Sequence, residues 1–125
     1  MALVAGLAKR KENMKKIEAV IKPEMFSYVK DALAKAGYSS LTDYEVKGRG
    51  KQRGVITTVS GKTIRVDVLP KTKIEIVVED KDVKEVTDII VKTACTGTIG
   101  DGKIFVSTVD DAIRIRTGEK GKDAI

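Results

Sequence analysis

The chain has 125 residues, 42% of them hydrophobic and 34% charged, which suits one compact domain with a core large enough to fold alone. Its formal charge of +6 favours anionic ligands without being a nucleic-acid signature, and no apolar run approaches the roughly 18 residues that span a bilayer. With one cysteine, Cys95, and no histidine, it has no intramolecular disulfide and no material for a Cys–His nucleophile or a usual zinc site, and it fits a reducing, cytosolic setting.

The opening "MALVAGLAKRKEN" is apolar first and basic afterwards, the reverse of a secretory signal. Residues 1–13 read as a flexible extension, with a short membrane- or partner-binding helix as the alternative. The domain is then residues 14–125. Setting aside Lys9, Arg10, Lys11 and Glu12 leaves about +4 on it.

"KIEAVIK" alternates, placing Ile17, Ala19 and Ile21 on one face of a strand. Pro23 suits the first turn of a helix whose apolar stripe is Phe26, Val29, Leu33 and Ala36, closed by Gly37. "SSLTDYEVKG" is a second strand. Residues 48–67 hold four glycines, many charges and weak alternation, which predicts a long loop or mobile hairpin of the kind that is functional or disordered. "KTKIEIVVED" is a third strand with Ile74, Ile76 and Val78 on one side. Asp80 or Asp82 is a candidate cap for the next helix, whose stripe is Val83, Val86, Ile90 and Ala94 and whose end is marked by Gly97. "KIFVSTV" is a fourth strand and "AIRIRT" a short fifth.

The two halves repeat. Lys16-Ile17-Glu18 and Lys73-Ile74-Glu75 each open a strand that runs into a helix. That duplication points to an α+β, ferredoxin-like double βαβ sandwich, an antiparallel sheet with two helices on one face. The other face is left open, and an open sheet rich in Ile and Val needs a partner, so a homo-oligomer with sites between subunits is expected.

Arg114 and Arg116, two apart on a strand, would share a face, with Ile113 and Ile115 turned to the core. For an arbitrary strand the plainer account is a solvated polar face. Here they follow Gly100-Asp101-Gly102-Lys103, where glycines allow backbone N–H groups close to phosphate oxygens and Lys103 adds charge. Together these favour a polyphosphate site over a bare turn, although the spacing matches neither a Walker loop nor a dinucleotide fingerprint. "KGRGKQRG", residues 47–54, adds Lys51 and Arg53 in what is otherwise a solvated loop. RNA readers stack bases on aromatic side chains, and the fourth strand offers Phe105 alone. Nor is there a histidine base, an activated thiol or an isolated carboxylate pair, so the chain reads as a binder rather than an enzyme.

"MKKIEAVIKPEMF", "YEVKGRGKQRG", "LPKTKIEIVVED", "TGTIGDGKIFV" and "AIRIRTGEKGKDAI" closely resemble the PII signal-transduction proteins of nitrogen metabolism, from Met14 to Ile125. The resemblance implies a homotrimer that binds ATP or ADP in clefts between subunits and 2-oxoglutarate beside Mg-ATP. Gly100, Asp101, Gly102 and Lys103 would hold the phosphates, joined by Arg114 and Arg116. Gly48, Gly50, Lys51 and Gln52 would border them, and Gln52 would also give a side-chain oxygen to Mg²⁺. Lys71 would pair with a carboxylate of 2-oxoglutarate, Leu41 and Thr42 would flank the adenine, and Thr96 would help order the loop.

Residues 50–67 would then be the effector segment, the T-loop, which docks on a target such as an ammonium transporter, nitrogenase or an enzyme of nitrogen metabolism. No nucleic acid and no stable membrane insertion are implied, and the location would be cytoplasmic. The sequence also departs from the family. Ile64 stands where many relatives carry a uridylylated tyrosine, and Thr57 replaces an acidic residue. Lys62 lies where some relatives carry a phosphorylated serine, and Ser60 takes the place of the transporter-blocking arginine, a position that Arg65 does not fill. "GRGKQ" resembles the variants encoded with nitrogenase. A nucleotide-binding interaction trimer that has lost 2-oxoglutarate sensing is the alternative.

Overall fold

The computed structural model describes residues 14–49, 55–66 and 68–125. The extension at residues 1–13 lies outside them. Strands β1 (Met14–Ile21), β2 (Thr42–Gly48), β5 (Leu69–Glu79) and β6 (Gly102–Val109) form one sheet in the order β2-β5-β1-β6, with every neighbour antiparallel. Helix α1 (Phe26–Lys35) links β1 to β2 and helix α2 (Val83–Ala94) links β5 to β6. The first and third strands of this sheet are therefore central, and each half is a split βαβ unit. The fold is the ferredoxin-like α+β sandwich.

The core is the alternation made solid. Ile17, Ala19 and Ile21 of β1, with Ile74, Ile76 and Val78 of β5, are buried against Val29 and Leu33 of α1 and Val86, Ile90 and Ala94 of α2. Each helix is entered through a short 3₁₀ turn, Pro23–Met25 or Asp80–Asp82. Gly37, at φ +98°, closes α1: its N–H donates to the Ala34 carbonyl and that of Tyr38 to the Leu33 carbonyl, at 3.0 and 2.8 Å. Only a residue without Cβ takes that left-handed position freely.

Several details differ from the sequence reading. Ala36 is the exposed residue just after α1, and half-buried Ala32 lies within the helix instead. Neither Asp80 nor Asp82 caps α2 by its side chain, because the 3₁₀ turn feeds the helix directly. Gly97 lies in the loop beyond α2, which ends at Ala94 with extended Cys95 after it. Of the long loop or hairpin expected over residues 48–67, residues 55–66 do form a hairpin, of β3 (Val55–Val59) and β4 (Lys62–Val66), turned by Ser60 and Gly61 at φ +53° and +77°, the both-positive geometry that matches strand twist.

The helix-free face is not rich in Ile and Val. Those side chains lie mostly under the helices, and the open face carries Lys16, Glu18, Lys73, Glu75 and Tyr44. Glu18 and Glu75 stand directly opposite each other, which like charges resist, and Lys16 lies 3.5 Å from both while Lys73 meets Glu18 at 2.5 Å. Lys73 lies 5.5 Å from the Tyr44 ring centre, and the Tyr44 hydroxyl donates to Glu75 at 3.2 Å. The Lys73 ammonium holds the Glu18 carboxyl below its ordinary range, and Glu18 in turn pushes Lys73 up.

The expected fifth strand is a turn. Ile113 makes one bridge to Lys120, and the Gly118 N–H donates to the Arg114 carbonyl at 2.7 Å. Gly118 at φ +75° and an Arg114–Glu119 ion pair of 2.8 Å close this segment on itself, leaving Ile113 and Ile115 59% and 100% exposed instead of core-facing.

Truncating Ile90 to Ala, under both central strands, is expected to cost roughly 2–5 kcal/mol. The check is the urea midpoint, which falls while the slope stays unchanged.

Candidate functional site

The glycine-rich segment Thr96–Lys103 joins α2 to β6, and Asp101 organises it. Its carboxylate accepts from the Thr96 hydroxyl at 2.5 Å, the Thr96 N–H at 2.8 Å and the Gly97 N–H at 2.9 Å, and it lies 3.3 Å from the Lys22 ammonium. These contacts, the Thr96 hydroxyl foremost, hold the Asp101 carboxyl far below the usual carboxylate range. Asp101 is thus occupied within its own loop. It orders the segment, and both of its oxygens are engaged by Thr96, Gly97 and Lys22.

The N–H groups of Ile99, Gly100 and Asp101 donate to no acceptor among the described residues. Lys71 on β5 donates to the Gly100 carbonyl at 2.5 Å, and a Cβ on Gly48 would lie 3.7 Å from its Cγ. Gly102 is obligatory: at φ +107°, a Cβ there would fall 1.7 Å from the Val20 carbonyl oxygen. Lys103, opposite Val20, is exposed with no ion pair among the described residues.

One end of the sheet gathers these groups. Ile21 pairs with Gly102 and with Thr72, and Gly48 pairs with Leu69, so Gly48, Lys71, Thr96 and the Gly100–Lys103 loop converge there. The β3–β4 hairpin is inserted between Gly48 and Leu69 and so springs from the same end. Gly50, Lys51 and Gln52 lie outside the described residues.

Other expected site residues are not brought to the loop within one chain. β6 carries the backbone about 24 Å from Gly102 before Arg114 appears, at ~3.4 Å per residue, and Arg114 there binds Glu119. Arg116 is exposed. Leu41, packed on the core, precedes β2, and exposed Thr42 begins it, roughly 20 Å along the strand from Gly48. The reading that places Arg114 and Arg116 on one strand is therefore corrected: both lie beyond β6, in the turn that Gly118 and Glu119 close.

Sequence reading also missed Lys22 and Thr98, although Lys22 donates to the Thr98 and Thr96 hydroxyls at 2.6 and 3.1 Å. The available signal is the internal repeat, in which Lys22 stands where the second half has Glu79.

A profile of the family described as "Nitrogen regulatory protein P-II" matches residues 14–119. The chain belongs to this family. It is 56% identical over 112 residues to nitrogen regulatory protein P-II 2 of Methanothermobacter thermautotrophicus, covering 90% of this chain and 97% of that one. It is 54% identical over 112 residues to a P-II protein of Bradyrhizobium diazoefficiens, covering 90% and 100%. Among solved structures, Arabidopsis thaliana PII bound to citrate superposes with a TM-score of 0.74 at 38% identity, covering 91% of this chain and 94% of that one. The P-II match thus takes in the whole sheet, both helices and the Thr96–Lys103 loop.

Gly102→Ala is expected to break the β1–β6 pairing at its first rung and destabilise this P-II fold, seen as a lower thermal midpoint and faster amide exchange at Ile21. Asp101 supplies loop order that is fully present above its ordinary value of 3.8 and lost only as the pH falls through its depressed folded value. Exchange at the Thr96 and Gly97 amides, relative to intrinsic rates, is therefore expected to stay constant from pH 7 to about 4 in the native chain and to be faster throughout in Asp101→Asn.

Proposed function

We propose that the chain is a trimeric sensor of energy and carbon status, binding ATP or ADP and, with Mg-ATP, 2-oxoglutarate, and regulating a partner enzyme or transporter through its T-loop. The observation that carries this reading is the convergence of Lys71, Lys103 and the N–H groups of residues 99–101, which have no acceptor among the described residues, on one glycine loop at the root of the β3–β4 hairpin. A polyphosphate meets both backbone donors and ammonium charge there.

A site built by two copies also accounts for the dispersal of the remaining residues. Arg114, Arg116, Leu41 and Thr42 sit away from the loop of their own chain and would complete the pocket of a neighbour. No three acidic or cysteine side chains cluster to hold a metal among the described residues, so Mg²⁺ would arrive with ATP, with Gln52 its one side-chain ligand. The relative from Arabidopsis is described as bound to citrate, and Lys71 beside Gly48 could likewise face a small carboxylate. Ligand binding at the hairpin root would act by shifting the T-loop population, with no chemistry on the nucleotide. The chain would work as a cytoplasmic regulator rather than an enzyme; no described helix is long and apolar enough to cross a membrane.

The second reading, a nucleotide-binding trimer without 2-oxoglutarate sensing, is motivated by the T-loop itself, where Ile64 pairs with Thr57 and Ser60 makes the tip. Calorimetric titration of 2-oxoglutarate with Mg-ATP and then with ADP separates the two. Binding with Mg-ATP alone supports the sensor, and ATP binding without any 2-oxoglutarate signal supports the alternative. Lys103→Ala is expected to weaken ATP at least tenfold while the trimer persists in light scattering; unchanged affinity would sink the loop assignment.

A further inference from the structure

Lys22 stands between the end of β1 and Pro23, and its ammonium reaches across to the loop that precedes β6. It donates to Thr98 Oγ1 at 2.6 Å and Thr96 Oγ1 at 3.1 Å, and lies 3.3 Å from Asp101 Oδ1 with its side chain 19% exposed. From the point a Gly100 Cβ would occupy, Lys71 Nζ lies 3.2 Å away and Lys22 Cε 3.7 Å, so two lysine side chains back the same glycine.

The internal repeat makes this contact informative. Lys22 and Glu79 are equivalent and share an extended backbone, φ −63° and ψ 136° against φ −72° and ψ 154°. Among the described residues, Glu79 nevertheless pairs only with neighbouring Lys81, at 3.9 Å. The two positions differ in the side chain, not the backbone, and only the first half uses it to hold the loop entering its adjacent strand.

Without Lys22 the loop would keep Asp101 as a negative charge beside the N–H groups that face an anion, and Thr98 would lose its ammonium partner. We infer that Lys22 is a positioning residue, setting both the shape of residues 96–101 and the net charge that lets the loop accept a polyphosphate. This inference rests on the nucleotide reading above.

The test compares Lys22→Met and Lys22→Arg with the native chain in Mg-ATP titrations, thermal melts and amide exchange at Gly97 and Thr98. Lys22→Met is expected to weaken Mg-ATP about tenfold or more, the scale of one hydrogen bond to a charged group, with an unaltered melting midpoint and faster exchange in the loop. Lys22→Arg, which keeps charge and reach, returns most of the affinity. Mg-ATP affinity within twofold of native in Lys22→Met overturns the proposal. If the native chain itself fails to bind Mg-ATP, the nucleotide reading falls; the exchange data then decide alone, with faster loop exchange upholding the positioning role and native exchange overturning it.

Discussion

The antiparallel pairing of β1 with β5 is the constraint on which the rest depends. Its register sets Ile17 opposite Ile76 and Ala19 opposite Ile74, so one face is apolar along its central length and calls for both helices. The same register sets Glu18 against Glu75 on the other face. That juxtaposition would repel if it stood alone, and it is tolerated because Lys16, Lys73 and Tyr44 surround it. Glu18 and Glu75 are also equivalent positions of the internal repeat, so the point between them is where the two halves are related by an approximate two-fold. A one-residue slip would exchange the two faces and bury the charges.

Everything at the site follows from where that pair ends. β1 stops beside the start of β6, and β5 begins beside the end of β2. Lys22, Lys71, Gly48 and the Thr96–Lys103 loop are therefore neighbours although they are scattered over more than 80 positions of sequence. The hairpin is inserted in sequence between Gly48 and Leu69, which both lie at this end. The departures from internal symmetry gather here as well: a loop with left-handed Gly97, Gly100 and Gly102, and a lysine in place of the repeat's glutamate.

The open face of the sheet carries a satisfied ion-pair cluster, so its centre presents charged and aromatic side chains to whatever packs on it. Ion pairs of this kind contribute little when solvated and specify orientation better than affinity. The closing turn at Gly118 matters in the same way. It projects fully exposed Ile115 and leaves Arg116 exposed and unpaired among the described residues.

Much of this was legible in the residues. The two-residue alternation of Ile17, Ala19, Ile21 and Ile74, Ile76, Val78, the helical stripes and the doubled Lys-Ile-Glu determined the layers, because burial period follows directly from backbone geometry. Gly37 and the glycines of the 96–103 loop were readable for the same reason, since left-handed backbone excludes most side chains. What the sequence could not settle was long-range direction. "AIRIRT" alternates like a strand yet turns, because Gly118 and the Arg114–Glu119 pair act across five residues. Asp101 looked like a phosphate neighbour, but Thr96, Gly97 and Lys22 occupy it. Lys22 was invisible as a site residue because its partners lie 74 to 79 positions away. Local periodicity determined the elements of this protein; only the register of its strands decided which charges meet, because contact between distant residues is a property of three-dimensional closure and not of spacing along the chain.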